Sequence, residues 1–519
     1  MMFTASLLLG LIVITGCNKK AKDNTGDDTE QTTGERGGGF MVPGDAMFVI
    51  SADLNSMWDK GNFDNIDKIS TVQYLRQEIK EEDPGAAKIL DELLQDPNSC
   101  GLKLKGEAVA FKTRSLHSKY VVGLEVLKAD KFEVFLKKIS DKLGFDIDIS
   151  KKDDIFYALC RDFDIAVCWN NSRAYIMANV YQAKDIEKDA QSLMSLSSQN
   201  SIANNEDYNL FMKDHRDVCI FANNSQLISY LSLREPSLYK QMKKSIDAYK
   251  NAYSCASLNF ETGAIKMESK YLGLDANTNP RKGDFDSKLL DYLPRETFGA
   301  ITIALNPDIL LEELDKTEQV DLDETITRNG PTIRNLIQAL SGNLAINLSD
   351  IRVDRYEEDI EPIISIAAGI SNSRTIEKTF AALEEDGLEK EGNAYVIPGT
   401  NFTIKLTDNV LLFSNDQIAL NAFDRGGAGN GMAQVASDAK NGNYMYLNLD
   451  LDDYPMAVKR MLDRRVVDGL SGFLKDAEIK TTEDYCTEAT INLKNNSMNS
   501  LEFIINYIDT YISLQRILS

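Results

Sequence analysis

Val42-Pro43-Gly44-Asp45 and Leu293-Pro294-Arg295-Glu296 are the two stretches on which the fold reading turns. Each runs aliphatic residue, Pro, a variable residue, then an acid. At the same offset Ile50-Ser51 falls on Ile301-Thr302, and Leu54-Asn55 on Leu305-Asn306. The shared pattern is a β-rich run that ends where Leu-Asn opens a helix. Asn306-Pro307 gives the physical reason: Asn caps a helix and Pro suits its first turn.

The echo continues in order along the chain. Gly106-Glu107-Ala108-Val109-Ala110-Phe111 resembles Gly342-Asn343-Leu344-Ala345-Ile346-Asn347. Tyr120 to Val126 predicts a strand, followed by a helix over 130–139 with Phe132, Phe135, Leu136 and Ile139 on one face. Pro362 to Ile370 and then Ile376, Thr379, Phe380 and Leu383 answer it. A hairpin predicted across Asn170-Asn171 is answered by one across Asp408-Asn409. Leu258-Asn259-Phe260, turning at Thr262-Gly263, is matched with Ile491-Asn492-Leu493, turning at Asn495-Asn496. These repeats predict an α+β protein of two tandem, internally duplicated halves, 41–273 and 287–519. Each is a largely antiparallel sheet with helices packed on it. The seam is expected between Leu274 and Asp286, where Asn277-Thr278-Asn279-Pro280 breaks any periodic pattern.

The first residues read as a targeting segment. Leu7 to Ile14 is an apolar run too short to span a bilayer, which needs about 20 residues, and suited to the core of a signal peptide. Thr15-Gly16-Cys17 follows, then Asn18-Lys19-Lys20. A branched aliphatic residue, two small residues and Cys resemble a bacterial lipobox. In that pattern residues 1–16 are cleaved and Cys17 carries diacylglycerol and an acyl chain such as palmitate. Two or more chains hold a protein stably at a membrane, each buried CH₂ contributing about 0.8 kcal/mol. The segment departs from the pattern in having no Lys or Arg before Cys17. Residues 17–40, polar and ending in Gly37-Gly38-Gly39, read as a flexible tether.

Composition narrows the function classes. The 519 residues carry a formal net charge of −23, which disfavours nucleic acid, because phosphate binding wants clustered Lys and Arg. Hydrophobic content of 43% is ample for packed cores. Seven Cys are present, and with Cys17 lipidated six remain; in an oxidising compartment they could pair in any of fifteen ways, between which spacing does not choose, and free buried thiols are the preferred reading. Without a Cys-x-x-Cys, zinc-ribbon and thioredoxin-type chemistry are disfavoured.

The lipobox Cys, the polar tether, Val42-Pro43-x-Asp45 and its echo Leu293-Pro294-x-Glu296 resemble the uncharacterised Bacteroides-type lipoproteins grouped as domain of unknown function 4836. The resemblance covers nearly the whole mature chain and rests on packing and turn signals. It implies a Gram-negative envelope lipoprotein with no established activity, so no functional residue carries over. Asn18-Lys19-Lys20 lacks the acids that, in related bacteria, direct export to the cell surface; the periplasmic side of the outer membrane is the expected address.

No constellation of catalytic, cofactor-binding or metal-binding residues stands out. The two His, His117 and His215, lie in polar stretches without a second ligand at close spacing. Asn448 to Asp453 begins like a calcium loop, but the sixth and twelfth positions hold Asp453 and Lys459 instead of Gly and Glu. Gly426 to Gly431 follows a predicted helix rather than opening one, so it reads as a surface loop. The acidic run 356–361 reads as a solvated loop. Trp58 and Trp169 are expected as core anchors, and Leu238, Met242, Ile246 and Tyr249 as an ordinary core-facing helix stripe. Three functions stay open. The first is a non-enzymatic binding or scaffold module with a surface between or along its sheets for an envelope protein or polymer. The second is a carboxylate-dependent hydrolase acting on glycan, and the third a lipid or small-ligand carrier. A cleft with facing acids favours the hydrolase, a broad apolar patch the binding module, and an enclosed apolar cavity the carrier.

Overall fold

A computed structural model describes residues 41–518 apart from 117–119, 162–163, 179–182, 215, 248, 275–284, 318–320, 326, 328–329, 354–359, 386, 428–431, 433–438, 440–441, 463–471 and 484. The chain divides into two compact units. One holds residues up to 267 with 271–273 and 495–519; the other holds 268–270 and 274–494. Both are α+β, built on antiparallel strand pairs with helices against them.

The strands of the first unit are β1 (Ala46–Asp53), β2 (Glu107–Thr113), β3 (Tyr120–Glu125), β4 (Asp148–Lys152), β5 (Ile155–Cys160), β6 (Ile165–Trp169), β7 (Arg173–Ala178), β8 (Val218–Asn223), β9 (Tyr253–Glu261) and β10 (Ala264–Leu272). They lie in the order β4-β5-β6-β7-β3-β2-β1-β8-β9-β10. The helices are α1 (Leu54–Lys60), α2 (Ser70–Glu82), α3 (Pro84–Gln95), α4 (Ala129–Leu143), α5 (Ala183–Met194), α6 (Glu206–Met212), α7 (Asn224–Arg234) and α8 (Pro236–Asp247). Their starts follow from local chemistry. Asp53 caps α1 through Ser56 N, and Asp83 caps α3 through Gly85 N and Ala86 N with Pro84 in the first turn.

One face of this sheet packs on α3 and α4. There Trp169, fully buried, stacks on Phe156 at 5.1 Å between centroids and meets Phe132 edge-on at 5.2 Å. Aromatic pairs of this kind each contribute about 1 kcal/mol beyond area burial. The other face packs on α5 and α6 through Phe111, Tyr175, Met177, Phe211 and Phe221. Trp58 is also buried, so both tryptophans are core anchors, as the sequence predicted.

The second unit contains β11 (Gly299–Ala304), β12 (Leu340–Val353), β13 (Ile360–Ile370), β14 (Glu389–Glu391), β15 (Ala394–Val396), β16 (Thr403–Leu406), β17 (Val410–Ser414), β18 (Tyr444–Asn448), β19 (Leu474–Glu483) and β20 (Cys486–Leu493). Their order is β14-β15-β16-β17-β13-β12-β11-β18-β19-β20. Strand for strand, this is the order of the first unit. The helices are α9 (Pro307–Thr317), α10 (Ile333–Ala339), α11 (Ser373–Glu385), α12 (Gln417–Asp424) and α13 (Met456–Met461). Asn306 Oδ1 accepts Asp308 N and Ile309 N, capping α9 with Pro307 in its first turn as predicted.

Three expectations need correction. The second unit ends at Lys494, not at 519. Residues 495–519, with α14 (Ser500–Leu518), belong to the first unit. Gly263, in the β9–β10 turn at φ +73°, receives this stretch: a Cβ there would lie 2.7 Å from Asn496 Cα, while Gly263 N donates to Met498 O. Asp509 on α14 then accepts Ser70 N and Thr71 N, supplying the cap that α2 lacks from its own preceding residue, Ile69.

The last predicted echo is also displaced. By strand order the β9–β10 turn corresponds to the β19–β20 turn near Tyr485, not to Asn495-Asn496. The stripe on α8 is the third: Leu238 is 44% and Tyr249 37% exposed, because α8 packs along α7. The Met242 side chain lies outside the described residues. Among the described residues no helix is long and apolar enough to cross a membrane.

Candidate functional site

The alternation along β11 places small residues on one side and large ones on the other. Ala300, Thr302 and Ala304 are buried, whereas Ile301 and Ile303 are only half-buried. Register carries this asymmetry across the second unit. Ile404, Phe413, Ile366, Ile346, Ile301, Met445, Ile479 and Ala489 are successive cross-strand partners from β16 to β20, one apolar row over eight strands. A parallel row joins Ile364, Leu348, Gly299, Leu447, Ala477 and Ile491.

At the β16–β17 end the first row is covered. Ile404 packs with Ile376 and Phe380 of α11. Toward β18 and β19 the cover stops, and Met445 is 38%, Leu447 36% and Ile479 40% exposed. These strands are interior to the sheet, so their backbone groups are paired with neighbouring strands. The open face therefore offers aliphatic surface and no free ladder of hydrogen bonds.

The opposite side is small or polar in β11, β12 and β13, flanked in register by the larger Leu412 and Tyr444. Ala345, Asn347, Ser365, Ala367 and Ser414 are buried under α12 and the 3-10 turn Ser287–Tyr292. Beyond the edge of that cover the same side opens into a cleft of about 1330 Å³. It is lined by Phe298, Tyr444, Tyr446, Asp416, Asp476, Glu478, Arg295 and Arg352 among others. The second aliphatic-Pro motif meets it, since Pro294, Arg295 and Glu296 form part of the wall. Asn347 Nδ2 donates to the carbonyls of Pro294 and Glu296 from beneath. In the first unit the matching motif is tied to its neighbours by hydrogen bonds: Gly44 N donates to Asn200 O, and Asp45 accepts Thr113 Oγ1.

The buried acids of the cleft hold structure together. Asp416 accepts Ile418 N at 2.8 Å as the cap of α12 and Ser349 Oγ at 2.5 Å. Asp476 accepts Asn492 Nδ2 at 2.5 Å and faces Lys475 at 3.5 Å. Tyr446 is held protonated: burial, then Asp476, Glu478 and Asp453, push its phenol up to about 12. The lining contains neither His nor Cys. What the cleft supplies is hydrogen-bonding donors and acceptors, among them the Ser349 hydroxyl held on Asp416.

The other sequence candidates are dispersed. Cys17, His117, His215 and residues 356–359 of the acidic run lie outside the described residues. Asp450 and Asp452, which suggested a calcium loop, both pair with Lys494 at 2.6 Å, and Asp453 accepts Asn448 Nδ2. Among the described residues no group of three or more His, Cys, Asp or Glu is arranged to hold a metal ion. Gly426 and Gly427 follow α12 with positive φ, while 428–431 lie outside the description. Among the described residues the six Cys from Cys100 to Cys486 are buried and none is in a disulfide. The open aliphatic face was missed by the sequence reading. Its signal was the alternation of large and small apolar residues in β11, which does not say which side is covered.

The fold and these two surfaces define an α+β chain with an exposed aliphatic sheet face. Residues 40–501 match the family described as domain of unknown function (DUF4836), and the chain belongs to it. No curated protein matches. Among solved structures, TP0453 in crystal form IV is similar at 12% identity over 45% of this chain and 79% of that one, with a TM-score of 0.26. Crystal form III gives 12%, 46%, 80% and 0.26.

Proposed function

We propose that this protein is a non-enzymatic binding module of the cell envelope, built by duplication of one α+β unit and held at a membrane by lipid on Cys17. The periplasmic side of the outer membrane is the proposed address, with residues 1–16 as signal peptide and 17–40 as tether. The matching strand orders of the two units support duplication. The observation that carries the binding reading is the open face of the second unit around Met445, Leu447 and Ile479. Monomeric proteins rarely leave contiguous apolar surface of this kind unless something binds it. Its aliphatic chemistry selects an apolar partner, which argues against a glycan and for a protein surface of like character.

The test places a photo-crosslinking amino acid at position 447 in cells and looks for a discrete protein adduct that Ile479→Glu abolishes. Adducts to lipid alone would overturn the protein-partner reading in favour of the carrier, which the purely aliphatic lining favours as second reading. The absence of any adduct would overturn both. The anchor is tested separately by mass spectrometry of the mature amino terminus, where an unmodified Cys17 still preceded by its leader refutes it. The hydrolase reading draws little from the cleft, whose buried acids Asp416 and Asp476 are committed to a helix cap and to Asn492.

A further inference from the structure

Phe221 on β8 and Tyr446 on β18 stand at corresponding places in the two strand orders, Phe221 beside Val49 of β1 and Tyr446 beside Ala300 of β11. In the first unit α6 fills the space over this position, and Phe221 is buried against Tyr208 and Phe211. In the second unit Tyr446 is half-buried and lines the cleft of about 1330 Å³. That volume exceeds the roughly 300–1,000 Å³ of a pocket for a drug-sized ligand, so it has room for a chain of several linked groups.

The charge of the cleft is one-sided. Six carboxylates line it, on Glu296, Asp350, Asp416, Asp453, Asp476 and Glu478, against three bases, Arg295, Arg352 and Lys475. All three bases are exposed, whereas Asp416 is 4% and Asp476 7% exposed. Water therefore screens the positive charges more than it screens these two acids. The hydrogen bonds that Asp416, Asp453 and Asp476 accept come from Ile418 N, Ser349 Oγ, Asn448 Nδ2 and Asn492 Nδ2, neutral donors that leave the charges in place. Tyr446 registers the resulting field: after burial, it is Asp476, Glu478 and Asp453 that raise its phenol. A further acceptor is left over at the wall. Asn347, fully buried, turns its amide toward the cleft lining and gives Nδ2 to the carbonyls of Pro294 and Glu296, while its Oδ1 has no hydrogen-bond partner among the described residues. A buried acceptor is seldom left without a donor.

We propose that this cleft binds organic cations, ammonium or guanidinium groups on a flexible chain, as in a basic peptide segment or a polyamine. The carboxylates attract such groups and accept their hydrogen bonds, and the rings of Tyr446 and Phe298 add cation–π attraction. Ammonium and guanidinium carry donors and no acceptors, which suits a lining rich in acceptors. A bare metal ion fits less well, because among the described residues no three His, Cys, Asp or Glu are arranged to hold one. The cleft lies on the opposite side of the sheet from the aliphatic face, and the two bindings are independent.

The test is isothermal titration calorimetry on full-length Cys17→Ser protein with capped triarginine and spermidine as probes and capped triglutamate as control. The tighter of the two cations is expected to bind about tenfold more strongly than triglutamate, or better; triarginine ahead of spermidine assigns the site to peptides, and the reverse to polyamines. Glu296→Gln with Glu478→Gln is expected to weaken that cation by about tenfold, the loss of a charge-assisted hydrogen bond. Tyr446→Leu is expected to weaken it by about threefold, and Tyr446→Phe to retain affinity because the ring stays. Glu384→Gln with Glu385→Gln, on α11 and outside the cleft, makes the same change in net charge and should leave affinity unchanged. The Glu→Gln pairs preserve shape, so they decide the matter even if Tyr446→Leu lowers the thermal transition. No binding of either cation, equal binding of triglutamate, or an equal loss in the two Glu→Gln pairs overturns the proposal.

Discussion

Leu447→Glu and Leu412→Glu place the same charge on two strands of one sheet and should have very different consequences. Leu447 faces the open side and is 36% exposed, whereas Leu412 is fully buried in the core of the second unit. Truncation sets the scale. Leu412→Ala removes a packed side chain and leaves a cavity, at a cost of about 3 kcal/mol. Leu447→Ala opens no cavity and forgoes only part of the 1.5–3 kcal/mol that full burial of a Leu contributes, so about 1 kcal/mol is expected. Introducing a carboxylate widens the gap. At 447 the group stays hydrated and adds little, while at 412 it must be buried without a partner, which adds several kcal/mol and unfolds the unit. Thermal unfolding reads this directly: Leu447→Glu should shift the second unit's transition by about 2–4 °C per kcal/mol, and Leu412→Glu should abolish it. A fluorescent hydrophobic probe gives an independent measure. The wild-type protein should bind it, and Leu447→Glu with Ile479→Glu should lose most of the signal. If Leu447→Glu unfolds the unit as readily as Leu412→Glu does, the face is covered, and the binding surface proposed on it does not exist.

Further outcomes are expected elsewhere. Asp509→Ala should cost about 1 kcal/mol by leaving Ser70 N and Thr71 N without their cap, seen as a lowered melting temperature of the first unit; an unchanged value would mean that α14 does not cap α2. Ellman's reagent should find no rapidly reacting thiol in native Cys17→Ser protein and six after denaturation, since burial raises Cys100 to about 11 and Cys168 further still; one fast native thiol would contradict this. The Trp58 indole, donating to Asp64 at 2.9 Å, lowers that carboxyl below its ordinary 3.8. A depressed folded-state pKa contributes stability that is present above the unfolded value and lost as pH falls through the folded one. The Trp58 N–H resonance should accordingly titrate with a midpoint below 3.8, and a midpoint above it would refute the bond.

Much of the scaffold is written locally. Asn306-Pro307 opens a helix because one side chain caps it and one ring presets its first turn, and neither needs the rest of the molecule. The hairpin across Asn170-Asn171 is equally local, with Asn170 Oδ1 accepting Ser172 N and Arg173 N. What failed depended on distant partners. Residues 495–519 join the first unit through Gly263 and through Ser70 and Thr71, contacts that no periodicity in the tail encodes. The stripe Leu238 to Tyr249 has core spacing, but spacing does not provide something to pack against.

The same limit hid the open face and gives it meaning. Alternation in β11 separates Ile301 and Ile303 from Ala300, Thr302 and Ala304, and a reader of sequence assigns the larger set to the core. The second unit does the reverse, because α12 and the Ser287–Tyr292 turn lie over the small side. Large aliphatic residues are thereby left on the side with less cover. Each square ångström of apolar surface so exposed forgoes about 25 cal/mol. A fold needing these positions only for its own stability would gain by making them polar, as half-exposed antiparallel sheets commonly do. Instead, aliphatic partners continue in register from β13 through β12, β11 and β18 to β19. A cost repeated over that many strands is best explained by an apolar occupant that offsets it, which is why the search for what this protein binds should begin at Leu447 and Ile479.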